Sequence, residues 1–316
     1  MVEKVKLLQV QIIDALVPTF TPPKAGRHRD HSVIIVYQLD SPFSWLQCNI
    51  AYMNKRTSRI LFVGAMETEL RPLLKEFYAV ESKKLLNIFP LYKATHQSVE
   101  VFVVETFVGE INASVAALEA IKETNPDFVI KYGCVGGSYA ESKNGDAIVP
   151  LGFFHRTSWI TRTKEGVPTK DSSLWQSVFG ELPHQVNSNN LGGLPYYFPV
   201  DKKYIDLSRR VLKELNIYAV SCYIGGGNMW AFSPELLNNM AEVMLPKDTN
   251  DKRFVSDMES YSIAHACYVT KKPFLGCYAV ASNDYTDEAY DPNRVPTQME
   301  RLVPYAFKLV ETLSNQ

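Results

Sequence analysis

Three times between residues 59 and 227 a short apolar run closes on glycine. RILFV at 59–63 meets Gly64, PDFVIK at 126–131 leads into Gly133-Cys134-Val135-Gly136-Gly137, and the run from Tyr218 to Ile224 ends in Gly225-Gly226-Gly227. A short continuous apolar run is how a strand buried on both faces reads in sequence. A glycine at its end lets the backbone turn tightly and lets another group approach closely. Helical patterns lie between and after the runs, over about Glu67 to Tyr78, Glu110 to Thr124, Asp201 to Leu215 and Pro234 to Met244. Strands alternating with helices predict an α/β fold with a largely parallel sheet at its centre.

The remaining elements fit that plan. Leu86 to Ala94 and Val99 to Glu105 read as paired strands, and Gly145-Asp146 turns into a strand over Ala147 to Phe154. Ser260 to Val269 reads as a helix, Phe274 to Val280 as a strand and Val303 to Ser314 as a closing helix. Residues 163–196 scatter Gly, Pro, Ser and Asn and read as a long loop with one helical turn near Trp175; loops of that length inside a domain often carry function. Residues 1–58 form an N-terminal extension with a strand near 32–39, packed on the core or at an oligomer interface, and residues 59–316 form the domain proper.

Composition narrows the function classes. The net charge of −1 gives no basic field to favour nucleic acid. Five cysteines, odd in number and without a CxxC pair, argue against a disulfide framework and a zinc site and for a reducing compartment. The first residues alternate charged and apolar side chains, unlike a signal peptide, and no run approaches the roughly 20 apolar residues that span a bilayer. The expectation is a cytoplasmic protein with no metal, cofactor, nucleic-acid or membrane partner.

Four stretches carry candidate chemistry. Gly64-Ala65-Met66-Glu67-Thr68-Glu69 puts two acids in a first helical turn, where the helix dipole alone would favour them. The glycines of 133–137 leave backbone N–H groups free to face an anion or a hydroxyl, or serve tight packing; Lys131 beside them reads as a phosphate partner or a solvated strand end. Trp230-Ala231-Phe232 offers aromatic faces to a flat base, or to the core. Val255 to Glu288 holds Asp257-Met258-Glu259, then a helix and strand, then Asp284, Asp287 and Glu288. Carboxylates are natural partners of vicinal hydroxyls because each oxygen accepts hydrogen bonds, and Met258 offers a soft face to a sugar.

Taken in order, these pieces resemble the nucleoside phosphorylase and nucleosidase superfamily over residues 59–314, and most of all its methylthioadenosine/S-adenosylhomocysteine nucleosidase branch. Besides the stretches above, Val108-Gly109-Glu110-Ile111-Asn112-Ala113 and Gly145-Asp146-Ala147-Ile148-Val149 are similar to that branch. The resemblance implies a three-layer α/β/α fold with a central mixed, largely parallel sheet, and cleavage of the N-glycosidic bond of a purine nucleoside by water. Glu69 would position or activate the water, and Met258 and Glu259 would hold the ribose. Phe232 would stack on the purine; Gly64, Cys134 and Gly136 would shape the site. An acid beyond the Phe274 strand would protonate the base. Counted without a gap from Glu259, that acid position falls on Ser282; with two residues inserted it falls on Asp284, and Asp287 is the further candidate. Cys134 stands where serine or threonine is usual. The resemblance also implies a homo-oligomer, with a dimer favoured. Phosphorolysis, kept open by Lys131 and Arg156, is the alternative reading, and a non-catalytic nucleoside-binding or storage protein the second alternative.

Overall fold

The computed structural model describes residues 57–178, 196–246 and 249–315, together with the strand backbone of 32–38 and 47–53. Two units result, Met1–Arg56 and Thr57–Gln316. The first contributes an antiparallel pair, β1 (Ser32–Gln38) and β2 (Gln47–Met53), with Ser32 opposite Met53. The run LLQVQIIDALV at 7–17, whose mixed periodicity fits either strand or helix, lies outside the described residues.

The second unit begins with β3 (Arg59–Gly64), α1 (Glu67–Lys75), β4 (Glu81–Leu85), β5 (Phe89–His96) and β6 (Val99–Glu105). It continues with α2 (Glu110–Thr124), β7 (Phe128–Gly137), β8 (Ala147–His155) and the short strands β9 (Trp159–Ile160) and β10 (Gln176–Ser177). After these come β11 (Tyr197–Pro199), α3 (Lys202–Glu214), β12 (Ala219–Gly226), α4 (Pro234–Met244) and β13 (Phe254–Asp257). The chain closes with α5 (Ser260–Thr270), β14 (Phe274–Asn283), α6 (Val295–Glu300) and α7 (Val303–Leu313). Among the described residues no helix is long and apolar enough to cross a membrane.

The architecture is the expected three-layer α/β/α arrangement around a mixed sheet. Along β3, Ile60 and Phe62 join the core shared with α1, α3, α6 and α7, while Leu61 and Val63 join the core shared with α2 and α5. That two-residue alternation, with both faces covered, is why the strand reads as an unbroken apolar run. Pairing is parallel for β3 with β6 and β7, β7 with β14, and β12 with β8 and β13. It is antiparallel for β13 with β7 and β14 with β8. The pairings β7–β14, β14–β8, β8–β12, β12–β13 and β13–β7 therefore close on themselves, so this end of the sheet curls into a ring of five strands.

Several expectations shift in detail. The glycine segment 133–137 is not a turn: β7 runs through it, pairing with β13 and β14. Glycines persist there because neighbours press in. A Cβ on Gly137 would stand 2.2 Å from Ser142 Oγ, and one on Gly226 would stand 2.5 Å from the Tyr261 Cβ. The strand β4 (ESKKL) escapes notice because it is a charged edge strand with little to bury. Within 163–196, the helical turn near Trp175 is a 3-10 turn at Ser172–Leu174, and residues 179–195 lie outside the described region.

Gly64 also has a packing role. A Cβ there would fall 2.4 Å from Leu70 Cδ2 and 2.9 Å from the Tyr132 carbonyl oxygen, and the backbone atom cannot yield cheaply. Gly64→Ala is expected to destabilise the fold by about 1–3 kcal/mol, the usual cost of overpacking. Urea or thermal unfolding of the variant measures this, and an unchanged midpoint contradicts it.

Candidate active site

The carboxyl ends of β3, β7, β12, β13 and β14 gather around one pocket, the usual place for a ligand in an α/β sheet. At one side Glu69, in the first turn of α1, folds back over the turn that precedes it. Its Oε2 accepts from the backbone N–H of Ala65 at 3.0 Å and of Met66 at 3.1 Å. Its Oε1 accepts from the N–H of Cys134 at 2.8 Å and from the Cys134 Sγ at 3.1 Å. Burial, and next the adjacent Glu69 charge, push the Cys134 thiol well above its ordinary value, so it is a hydrogen-bond donor and not a thiolate nucleophile.

Asp257 and Glu259 divide their work. Asp257 Oδ1 accepts from the N–H groups of Glu259 at 3.2 Å and Ser260 at 2.9 Å, and Oδ2 accepts from the Ser260 hydroxyl. It thus caps the start of α5. Ser260 Oγ in turn lies 2.8 Å from Tyr278 OH. Glu259 turns into the pocket: its Oε1 accepts from the Gly109 N–H at 2.8 Å, and its Oε2 lies 3.9 Å from Lys131 Nζ. Gly109 has φ +105°, a conformation that favours glycine.

Lys131 is not the solvated strand end its sequence position suggests. Its side chain is 0% exposed, and its Nζ has no hydrogen-bond partner among the described residues. It reaches past Gly133, where a Cβ would lie 2.6 Å from Lys131 Nζ and 2.8 Å from Glu69 Oε1. The ammonium therefore sits between Glu69 and Glu259. Burial acts to strip its proton, but the charge of Glu69, then those of Glu259 and Asp257, outweighs it and holds the lysine above its ordinary value. Burial lifts the Glu259 carboxyl above the usual range, with Lys131 pulling the other way.

At the other end, Asp284 is 1% exposed. Its Oδ1 accepts from Trp230 Nε1 at 3.1 Å and Ser282 Oγ at 3.0 Å, and its Oδ2 accepts from Ser256 Oγ at 3.3 Å. Burial raises its carboxyl above the ordinary aspartate value, opposed by the Trp230 and Ser282 hydrogen bonds, by Arg156 and by Ser256. The strand is irregular just before these positions. Val280 pairs with Val135 and Ser282 with Gly136, so Ala281 is an extra, bulged residue in β14. Ser282 lines the pocket as a donor to Asp284, whereas Asp287 is exposed and outside the pocket.

Residues 59–315 match the family described as the Phosphorylase superfamily. The chain belongs to the phosphorylase superfamily. A 5′-methylthioadenosine/S-adenosylhomocysteine nucleosidase of Bacillus velezensis is 21% identical over 218 residues, covering 69% of this chain and 82% of that protein. The crystal structure of the Neisseria meningitidis nucleosidase of the same name, in complex with methylthio-immucillin-A, is 20% identical with a TM-score of 0.59. It covers 80% of this chain and 100% of that one. The futalosine hydrolase of Helicobacter pylori strain 26695 is 17% identical with a TM-score of 0.63, covering 80% of this chain and 99% of that one. The structural likenesses establish a nucleoside phosphorylase-like fold.

In this superfamily member the pocket brings together Glu69, Cys134, Gly136, Met258, Glu259 and Asp284 of the residues expected from sequence. Gly136 belongs because a Cβ there would meet the Asp284 carboxyl at 2.7 Å. Two expectations are corrected. Gly64 lies behind the pocket, packed on Leu70, while Ala65 and Met66 line it. Phe232 does not line the pocket; Trp230 does, with Phe232 stacked on it at 5.8 Å and Tyr290 edge-on at 5.7 Å. The aromatic wall comes two residues earlier than expected. Tyr290 and Ser256 were not considered for the site from sequence, while Lys131 and Arg156 entered only through the phosphate alternative and Trp230 only as part of an aromatic stretch. For Lys131 the available signal was a charge inside an otherwise uncharged strand, FVIKYGCVGG.

Removing the buried cation should expose its electrostatic role. Lys131→Met is expected to destabilise by about 3–5 kcal/mol, the scale for breaking a buried charge pair. The carboxyl of Glu259 is already raised, so its cost to the fold appears as pH climbs above the unfolded glutamate value and vanishes below it. The loss should accordingly be larger at pH 8 than at pH 5. Chemical denaturation at the two pH values measures it; a loss independent of pH counts against the assignment.

Proposed function

We propose that this protein cleaves the N-glycosidic bond of a purine nucleoside with water, releasing free base and a ribose derivative. The observation that carries the reading is the use of the backbone donors around Glu69. The N–H groups of Ala65, Met66 and Cys134, which would otherwise suit an anion, are already taken by the Glu69 carboxyl. A phosphate arriving there would have to displace an acidic side chain and face a second, Glu259. Water meets neither obstacle, and the nucleosidases and the hydrolase among the similar proteins agree with it.

The proposed chemistry assigns one task to each end of the pocket. Asp284 delivers a proton to N7 of the base, which lets the electron pair of the C1′–N9 bond leave with the purine. Positive charge grows at C1′ and the ring oxygen, and the acidic side chains nearby stabilise it. Glu259 takes hydrogen bonds from the ribose hydroxyls, against Met258. Glu69 orients the water and accepts its proton as the C1′–O bond forms. Solvent then exchanges the proton gained by Glu69 for the one lost by Asp284. Trp230 provides the flat wall for the base.

Two outcomes follow. Purified protein should release base from a purine nucleoside in phosphate-free buffer, at a rate that added phosphate does not raise; an absolute requirement for phosphate overturns the hydrolytic reading. Asp284→Asn should slow that release by about 10²–10⁴-fold, the usual range for a general acid. The acid must be protonated to act, and burial raises its carboxyl. The limb of the pH profile that depends on Asp284 should therefore fall as pH rises through a value above the ordinary aspartate range.

The aromatic wall gives a separate measurement. Trp230→Ala should raise KM by about 5- to 100-fold, corresponding to roughly 1–3 kcal/mol of base stacking. Phe232→Ala should raise it by less, because Phe232 stacks on Trp230 and not on the pocket. Steady-state kinetics on both variants decides which ring meets the base.

A further inference from the structure

Arg156 lies one residue beyond β8 and is 2% exposed, yet it lines the pocket. Its stem passes over Gly225, where a Cβ would stand 3.0 Å from Arg156 Cδ. Nη2 donates to the Met229 carbonyl and, at 3.4 Å, to the Gly227 carbonyl. Nε and Nη1 have no hydrogen-bond partner among the described residues. Buried donors are nearly always satisfied, and a charged one left unmet is costly. The carbonyls that hold the guanidinium come from the segment that leads into Trp230, and the Arg156 charge bears on Asp284. Arg156 thus belongs to the end of the pocket where a base would meet Asp284 and Trp230.

This placement has a chemical consequence that rests on the purine nucleoside reading above. If Asp284 addresses N7, the next position along the same edge of the purine is the C6 substituent. That substituent is a donor when it is an amino group and an acceptor when it is a carbonyl. A guanidinium has five N–H donors, no acceptor and a permanent charge. An amino group would meet it donor to donor, whereas a carbonyl oxygen would satisfy it. We propose that Arg156 is a specificity-determining residue that selects purine nucleosides carrying a carbonyl at C6 over those carrying an amino group.

The test compares kcat/KM for inosine against adenosine, and for 5′-methylthioinosine against 5′-methylthioadenosine, so that only the C6 substituent differs within each pair. The unaltered protein should favour the 6-oxo member by about 10- to 100-fold, the scale of a hydrogen bond to a charged group. In Arg156→Leu the ratio should collapse towards one or reverse. A 6-amino preference in the unaltered protein overturns the proposal, as does an equal loss on both members in the variant. Because leucine at a buried arginine can impair folding, calorimetric binding of hypoxanthine and adenine to the unaltered protein gives a second measurement. Tighter hypoxanthine is expected, and equal or tighter adenine overturns the selection. The two readings separate cleanly: preferential hypoxanthine binding with no nucleoside cleaved removes the hydrolase reading and keeps the selection, whereas cleavage with a 6-amino preference does the reverse.

Discussion

A single buried ammonium organises the acidic side of this pocket. Lys131 Nζ stands 3.9 Å from Glu259 and beside Glu69, with no direct hydrogen bond to either among the described residues. Acidic side chains crowded in a low-dielectric site would repel one another and gain protons. A fixed positive charge between them opposes that outcome without consuming the oxygens that a ligand needs. The absence of a side chain at Gly133 is what lets the ammonium and the Glu69 carboxyl approach each other. The pocket is therefore set by a charge and by a residue chosen for having nothing to add.

The five-strand ring explains how distant segments arrive together. An open parallel sheet spreads its strand ends along a line, whereas a ring brings them around a common centre. Here β7, β12, β13 and β14 deliver Cys134, the Trp230 segment, Glu259 and Asp284 to the same pocket, while α1 contributes Glu69 from the neighbouring strand end. The closeness is paid for in glycine. Gly133, Gly136 and Gly225 each sit where a Cβ would strike a charged or aromatic side chain of the site or its wall.

Much of this was legible in sequence, and the failures have physical causes. The α/β alternation could be read because strands covered on both faces leave continuous apolar runs, as β3 does with Ile60 and Phe62 on one face and Leu61 and Val63 on the other. Glu69 and Glu259 were singled out by the resemblance, since an acid at a helix start is by itself what the helix dipole favours. Lys131 resisted because burial of a lysine depends on which acids fold around it, and both come from other elements. The residues offered Trp230-Ala231-Phe232 together as an aromatic face, and the resemblance pointed to Phe232; only the fold shows that Trp230 is the ring that lines the pocket. The edge strand β4 left no pattern because it has little to bury.

The bulge at Ala281 has a wider consequence. In a regular strand consecutive side chains look opposite ways, yet Ala281 and Ser282 both line the pocket. Beyond this point residue number and ladder rung no longer advance together. Whether a serine or an aspartate is read as the equivalent of a relative's acid then depends on which of the two is counted. A bulge of one residue slips that count by one rung. The same slip is an evolutionary degree of freedom: one inserted residue, absorbed as a bulge, changes which side chain faces the ligand and leaves the rungs on either side paired.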